Sequence, residues 1–388
     1  MAGELVLLTG ATGFVGFAVL RAALKKGFKI RAAVRSEEKV ETVRSNPTLK
    51  GISEEQLSFV IVPDILLEGA FDEAATGVKY ILHIASPIPG SHLSGDDDLH
   101  ALVVQPAIKG TVGMFASARK AGTVQRIVVT SSAAALIPMA AFSGPMGEGV
   151  VFGPDDRVNA LPPPYMNVPQ AAYNASKVLA LQAAEEYIKN EKPEFDAIHI
   201  HPSMVLGRDE LALTAKDLDK GSNHYALAPV LGENAPMPFP MSICHIDDVA
   251  EAHVRALDPE IKGNQSFLLS CTGEEGYEVC IDRSLNLSPI ALRSHATKHR
   301  KLTQTLHSAQ WEGTKVYAAK HFQQAVEKGQ LPNNGSFPGF QLKSDPSRVE
   351  KVLGIKLKSF EEMVVDLVGQ YVELLEKEGA GEGIEVVS

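Results

Sequence analysis

A glycine-rich turn between a predicted strand and a predicted helix constrains this chain more than any other feature. The letters GATGFVG at 10–16 follow an apolar run at 4–9 that predicts a buried strand, and they lead into Phe17–Lys26, which predicts a helix. Such a turn lets the backbone approach a pyrophosphate, whose charge is met by the free N–H groups and the positive dipole end of the helix. We therefore expect the first glycine to make the turn, the second to allow the close approach and the third to pack helix against strand.

Strands and helices alternate along the first 270 residues. Further strands are predicted at 28–34, 57–62, 80–85, 125–130, 197–200 and 267–270. This alternation predicts an α/β fold with a Rossmann, doubly wound parallel sheet whose chemistry lies at the carboxyl ends of the strands. The polar, proline-bearing stretch at 208–241 predicts the start of a smaller C-terminal α/β substrate lobe.

A cation stands where an NAD-binding fold would place an acidic residue on the ribose 2′-hydroxyl. Arg35 follows the second strand, and Lys39 comes one turn later. A guanidinium can contact phosphate oxygens bidentately, so the pair suits the 2′-phosphate of NADP(H), although both could be solvated surface charges. Asp64, which follows the third strand, could accept from the adenine amino group or cap the next helix.

Three side chains form the predicted catalytic set. Ser132 ends the fifth strand, while Tyr173 and Lys177 are four residues apart and therefore share one helix face. Tyr173 is the expected general acid, and a neighbouring Lys177 ammonium would lower the phenol pKa. Lys177 would also hold the nicotinamide ribose, and Ser132 would stabilise the developing alkoxide. A helical Tyr/Lys pair alone usually only packs and solvates, so the pair indicates catalysis only together with the other motifs.

This set resembles the extended short-chain dehydrogenase/reductases, within them the dihydroflavonol-reductase-like group, and in particular fungal NADPH-dependent aldehyde/ketone reductases of the methylglyoxal/isovaleraldehyde reductase type. The resemblance covers 1–270 and resumes from about Trp311 to 375. Its carriers are GATGFVG at 10–16, Arg35-Ser36, Pro63-Asp64, HIASP at 83–87, VTSS at 129–132, Tyr173–Lys177, Pro202–Gly207 and His245–Ala250. It implies reduction of a carbonyl to an alcohol by NADPH.

The motifs and the resemblance together give a complete set of expected site residues. The cofactor-binding residues are Gly10, Thr12, Gly13, Phe14, Val15, Gly16, Arg35, Lys39, Asp64, Ile65, Ala85, Tyr173, Lys177, Pro202 and Val205. The catalytic residues are Ser132, Tyr173 and Lys177, and no metal site is expected.

Three positions depart from the pattern of this group of reductases. His201 replaces a common asparagine, and Ala133 and Met204 stand where relatives can present aromatic side chains, which favours a pocket for a bulky substrate, although Met204 could equally be core packing.

Composition limits the possible partners and the compartment. A net charge of −10 argues against a general nucleic-acid or membrane-surface binder. The three cysteines show no C-x-x-C spacing and are expected to be reduced structural thiols, as in a cytoplasmic protein. The N-terminus lacks a basic leader, and no apolar run reaches the roughly 18 residues of a membrane span. The expected partner is a small-molecule carbonyl substrate, and the chain could be a monomer or a homodimer.

The predicted domains interleave along the chain. An NADP-binding Rossmann domain takes 1–200 with 243–270, and a substrate-binding lobe takes 201–242 with 271–388. Within the lobe, the basic, aperiodic segment 277–310 matches nothing in the resemblance and is predicted to be an unstructured insert, for which a translated intron is one explanation.

The leading hypothesis is an NADPH-dependent carbonyl reductase (a ketoreductase or aldehyde reductase), with fungal secondary-metabolite biosynthesis as one setting. One alternative is an NAD-dependent nucleotide-sugar epimerase/dehydratase, against which Arg35 argues. The other is a non-catalytic dinucleotide-sensing protein, against which the intact set of Ser132, Tyr173 and Lys177 argues.

Overall fold

A seven-stranded parallel sheet forms the centre of the fold in the computed structural model, which describes residues 3–86, 97–144, 150–165, 168–271 and 311–382. In chain order the strands are β1 Leu5–Thr9, β2 Lys29–Val34, β3 Leu57–Ile61, β4 Tyr80–His83, β5 Arg126–Thr130, β6 Asp196–Pro202, β7 Met204–Leu206, β8 Phe239–Met241, β9 Ile243–His245, β10 Gln265–Leu269 and β11 Gly339–Gln341. The sheet has the order β10-β6-β5-β4-β1-β2-β3. The predicted doubly wound Rossmann sheet is therefore confirmed.

Helices connect these strands. They are α1 Phe14–Lys25, α2 Glu37–Arg44, α3 Asp72–Ala75, α4 Gln105–Ala121, α5 Pro169–Glu191, α6 Ala215–Leu218, α7 Gly221–Leu227, α8 Ile246–Arg255, α9 Gly313–His321, α10 Gln323–Glu327 and α11 Phe360–Glu382, with a π-helical turn at His100–Val104 and another at Val349–Leu353. Helix α1 begins at Phe14, three residues before the predicted Phe17, so the last three residues of the glycine motif already belong to the helix.

Apolar side chains cover both faces of the sheet. Along β1, Val6 and Leu8 pack into one cluster with Phe17 of α1, whereas Leu7 packs into another with Met114 of α4. Successive strand residues point to opposite faces, so an almost wholly apolar strand is what a sheet with helices on both sides requires. This double burial explains why β1 lacks alternating hydrophobicity.

A second apolar core lies around Trp311, which is fully buried, and two small parallel sheets, β7–β9 and β8–β11, lie beside it. The domain division remains a prediction. Val349, Leu353 and Ile355, which that division assigns to the lobe, pack instead into the core next to the large sheet. The predicted insert 277–310 lies outside the described residues.

Two further observations concern the helices and the cysteines. Among the described helices, none combines the length and the apolarity that crossing a membrane would take. Neither Cys244 nor Cys271 takes part in a disulfide within the described residues, and burial raises the pKa of Cys244 far above its usual range. Cys244 is thereby kept as an unreactive core thiol, as expected from the sequence.

Candidate functional site

The carboxyl ends of the central strands open into one cavity of about 1640 Å³. Strand β1 pairs with β2 on one side and with β4 on the other, so the following connections diverge and leave a crevice between them. Every site residue predicted from the sequence lines this cavity: Gly10, Thr12, Gly13, Phe14, Val15, Gly16, Arg35, Lys39, Asp64, Ile65, Ala85, Ser132, Tyr173, Lys177, Pro202 and Val205.

The glycine turn has no room for side chains where the backbone is packed. Gly10 has a φ of +84°, and a Cβ there would lie 2.9 Å from the Ala85 nitrogen. A Cβ on Gly16 would lie 1.9 Å from the Gly10 carbonyl oxygen, so α1 can approach the turn only without one. A Cβ on Gly13 would meet nothing closer than 3.7 Å.

The start of α1 can receive an anion. Gly13 is its N-cap, no side chain hydrogen-bonds to the cap, and the first turn lines the cavity. The first N–H groups of an α-helix have no partner within the helix, and the dipole there favours negative charge. The open space at Gly13 and these free donors fit the pyrophosphate of a dinucleotide.

Thr9 stabilises this turn through side-chain hydrogen bonds, a role that was not predicted from the sequence. Its Oγ1 accepts from the backbone N–H groups of Ile84 (3.1 Å) and Ala85 (3.0 Å), so its own hydroxyl donates to His83 Nδ1 at 3.0 Å. Burial lowers the pKa of His83 to about 4, which keeps the ring neutral and able to accept. The ends of β1 and β4 are thus joined beside Gly10.

The cations predicted for a 2′-phosphate lie at the rim of the cavity. Arg35 is exposed and forms no ion pair with any carboxylate in the described part of the chain. Lys39 Nζ lies 3.5 Å from Glu38 Oε1, so its charge is already partly paired. Asp64 accepts from a backbone N–H two residues on at 2.8 Å, within a turn, and α3 begins only at Asp72. The helix-cap alternative for Asp64 is therefore wrong, because its carboxylate closes a turn.

The catalytic set converges on the wall of the same cavity. The Ser132 side chain lies close enough to the Tyr173 hydroxyl to lower its pKa. Lys177 Nζ donates to Ser86 Oγ at 2.9 Å and lies 5.6 Å from the centre of the Tyr173 ring. Ser86, which was not among the predicted site residues, lies just past β4 and lines the cavity. Two hydroxyls and an ammonium therefore surround one small volume.

The electrostatics of this set differ from the sequence-based expectation. Burial raises the pKa of Tyr173, and only the nearby Ser132 side chain opposes that effect. Burial also lowers the pKa of Lys177, to about 8, in a side chain that is 6% exposed. The expected lowering of the phenol pKa by Lys177 is not found, since burial favours the neutral form of both side chains.

Asn174 fixes the distance between the serine and the tyrosine. It follows Tyr173 on α5, and its Nδ2 donates to the carbonyl oxygens of Ala134 (2.8 Å) and Ile137 (3.1 Å) in the short helical turn after Ser132. A buried asparagine inside a long helix is unfavourable unless its amide has partners, so its position next to Tyr173 was a usable signal.

The far end of the cavity is largely apolar. Its wall includes Ile137, Met139, Phe142, Met204, Tyr225, Phe239 and Leu342, with Ala133 near the catalytic set. The rings of Tyr225 and Phe239 stack with centroids 4.2 Å apart. Lys220 is the one cation lining this end among the described residues, and it is paired with Asp217 at 2.7 Å. This end suits a neutral, bulky molecule.

Comparisons with known proteins agree with this architecture. A family model described as the NAD dependent epimerase/dehydratase family matches residues 6–269. Ketoreductase CTB6 of Cercospora beticola is 39% identical over 393 residues, covering 100% of this chain and 99% of that protein. Ketoreductase sphI of Aspergillus fumigatus is 32% identical over 385 residues, covering 96% and 99%.

A solved structure shares the fold. The crystal structure of yeast methylglyoxal/isovaleraldehyde reductase Gre2 complexed with NADPH has a TM-score of 0.71 at 22% identity, covering 97% of this chain and 99% of that one. The resemblance identified from the motifs is thus confirmed. Because the family model matches most of the chain and both relatives exceed 30% identity over nearly all of it, the chain belongs to the NAD dependent epimerase/dehydratase family.

Proposed function

We propose that this protein is an NADPH-dependent carbonyl reductase, which reduces a ketone or an aldehyde to an alcohol. The observation that carries the proposal is that Ser132, Tyr173 and Lys177 converge on the wall of the cavity that begins at the glycine turn, with the Lys177 ammonium 5.6 Å from the centre of the Tyr173 ring. Bound NADPH would supply the hydride. The names of the two relatives above, both ketoreductases, support this reaction class.

The two hydroxyls can activate a carbonyl oxygen together. Tyr173 keeps its proton at neutral pH, because burial raises its pKa, and it releases that proton to the oxygen as negative charge develops there. Ser132 donates a second hydrogen bond to the same oxygen and stabilises the developing alkoxide. A protonated Lys177, close to the ring, stabilises the phenolate that remains on Tyr173.

The preference for NADPH is the part of the proposal that depends on Arg35 and Lys39. Both line the rim of the cavity, and Arg35 is free of ion pairs among the described residues, so its guanidinium is available to a 2′-phosphate. The matching family is named for NAD, whereas the yeast reductase structure contains NADPH. Measuring both cofactors against the same substrate decides the point.

The cavity supports a neutral, bulky substrate over a nucleotide sugar. A diphosphate at the far end would need cations, yet Lys220, which lines that end, is already neutralised by Asp217. Asp209 is another carboxylate of the cavity wall, and burial raises its pKa. A bound diphosphate nearby would raise that pKa further, because like charges repel, so the wall does not favour an anion there. The apolar wall suits a polycyclic or aromatic ketone, and a place in fungal secondary-metabolite biosynthesis belongs to the same proposal.

The experiment is a screen of NADPH oxidation with aromatic ketones, diketones and aldehydes, using the wild type and Tyr173→Phe. Tyr187→Phe is the matched control, because it makes the same change on the same helix, where Tyr187 packs against Phe115 outside the cavity. We expect turnover by the wild type and the control, and its loss in Tyr173→Phe. Cofactor binding without turnover on any carbonyl, in the wild type, would favour a sensing protein instead.

A further inference from the structure

A buried histidine connects the turn that carries Ser132 to the rest of the fold. His201 is the next-to-last residue of β6 and is fully buried. Its Nδ1 lies 3.1 Å from the Ser132 carbonyl oxygen, and its Nε2 lies 3.0 Å from Ser266 Oγ on β10. The imidazole therefore bridges the catalytic turn and the edge strand of the sheet.

These contacts fix the tautomer of the ring. A carbonyl oxygen can only accept a hydrogen bond, so Nδ1 of His201 must carry the proton that Ser132 receives. Burial holds the pKa of His201 well below its usual range, and the neighbouring His199 acts in the same direction, so the ring is neutral. A neutral imidazole protonated at Nδ1 can only accept at Nε2, and the Ser266 hydroxyl is its donor.

The hydrogen-bond chain leads back to the helix that carries the tyrosine. Ser266 Oγ lies 3.4 Å from Nη2 of Arg157, which can donate to it. The same Arg157 nitrogen donates to Glu185 Oε1 at 2.6 Å, and Glu185 is on α5. One path of polar contacts thus runs from the Ser132 carbonyl through two strands to the helix of Tyr173.

The Ser132 carbonyl is held from two sides. The backbone N–H of Ala135 donates to it at 2.9 Å, and His201 occupies its second lone pair. These two contacts restrain the peptide plane that follows Ser132. The Ser132 hydroxyl oxygen also accepts from the Ala134 backbone N–H at 3.2 Å, so the carbonyl and the hydroxyl of Ser132 are held by the same short turn beside Tyr173.

We propose that His201 is a positioning residue, whose Nδ1–H holds the Ser132 carbonyl so that the serine hydroxyl remains beside the tyrosine hydroxyl. This inference rests on the role proposed for Ser132 above. The role proposed for residue 201 needs a hydrogen-bond donor attached directly to Cγ. Asparagine supplies one, because its Nδ2 is bonded to Cγ as Nδ1 of histidine is. Leucine fills similar space without a donor.

The test compares His201→Leu, His201→Asn and the control His199→Leu, which removes a neighbouring buried imidazole from the same strand. Turnover is expressed per NADPH-binding site, counted by fluorescence titration, so that misfolded molecules do not enter the value. We expect His201→Leu to lose about 10- to 100-fold in kcat per site, as small misplacements of catalytic groups do, with NADPH affinity retained. His201→Asn should stay within about threefold of the wild type.

Two results would overturn the inference. The first is a His201→Leu enzyme whose kcat per site matches that of the wild type and of His199→Leu. The second is independent of activity: nitrogen NMR of the wild type should show His201 protonated at Nδ1 and bare at Nε2, and the opposite tautomer contradicts the proposal. Wild-type turnover in the same assay tests the proposed function separately, so the two can fail independently.

Discussion

Replacing glycine by alanine at two positions of the glycine turn should separate an effect on folding stability from an effect on cofactor binding. In Gly16→Ala the new methyl would lie 1.9 Å from the Gly10 carbonyl oxygen, about 1 Å inside the closest approach that real Cβ atoms make. The obstacle is backbone, so no rotamer change relieves it, and α1 must move. We expect a loss of about 1–3 kcal/mol of stability, typical of overpacking, together with weaker cofactor binding.

Gly13→Ala is the informative partner of that variant. Its methyl would meet no protein atom closer than 3.7 Å, so thermal stability should match the wild type. It would nevertheless occupy space at the N-terminus of α1, where the pyrophosphate is expected. Losing one charge-assisted contact of about 1.5–3 kcal/mol weakens NADPH binding by roughly 10- to 150-fold. Melting temperature and fluorescence titration measure the two effects, and unchanged NADPH affinity in Gly13→Ala would refute the placement of the phosphate.

The remaining predictions concern the charged and catalytic side chains. Arg35→Asp should weaken NADPH by about 1.5–3 kcal/mol while sparing NADH, and an unchanged ratio of the two kcat/KM values would remove Arg35 from the 2′-phosphate site. Tyr173→Phe should lower kcat by about 10²–10⁴ with NADPH affinity intact, and near wild-type turnover would exclude it as the acid. Burial lowers the pKa of Lys177 from 10.5 to about 8. Between pH 8 and pH 10.5 the unfolded chain therefore binds a proton at Lys177 that the folded chain does not bind. The free energy of unfolding consequently rises with pH over this range. Lys177→Met should therefore have a free energy of unfolding up to about 3 kcal/mol higher than that of the wild type below pH 8. Urea unfolding should show this difference vanishing towards pH 10.5. A difference in unfolding free energy that does not change with pH would contradict the shifted pKa.

Local sequence patterns were enough to predict the fold and the position of the cavity. An apolar strand, a glycine turn and a helix are consecutive in the chain, so their spacing carries the signal for residues such as Gly10 and Gly16. Ser132, Tyr173 and Lys177 follow from where a strand ends and from one helix face. All of them line one cavity in the structure.

Contacts that depend on packing between distant segments could not be predicted. Thr9 meets the residues after β4, 75 positions away, and Lys177 meets Ser86 across 91 positions. His201 was identified only as a departure from a related pattern, because its partners are a carbonyl and a hydroxyl on other strands. The pKa of Lys177 depends on burial, which its place on a helix face does not reveal.

The central claim is that this protein moves a hydride from NADPH to a carbonyl carbon. The most direct measurement follows the label from NADPH deuterated at the transferable position into the product of an aromatic ketone, analysed by mass spectrometry. The account predicts an alcohol with one deuterium on the carbinol carbon, formed by the wild type and lost in Tyr173→Phe. An unlabelled product, or the absence of any alcohol while NADPH is bound, would contradict it.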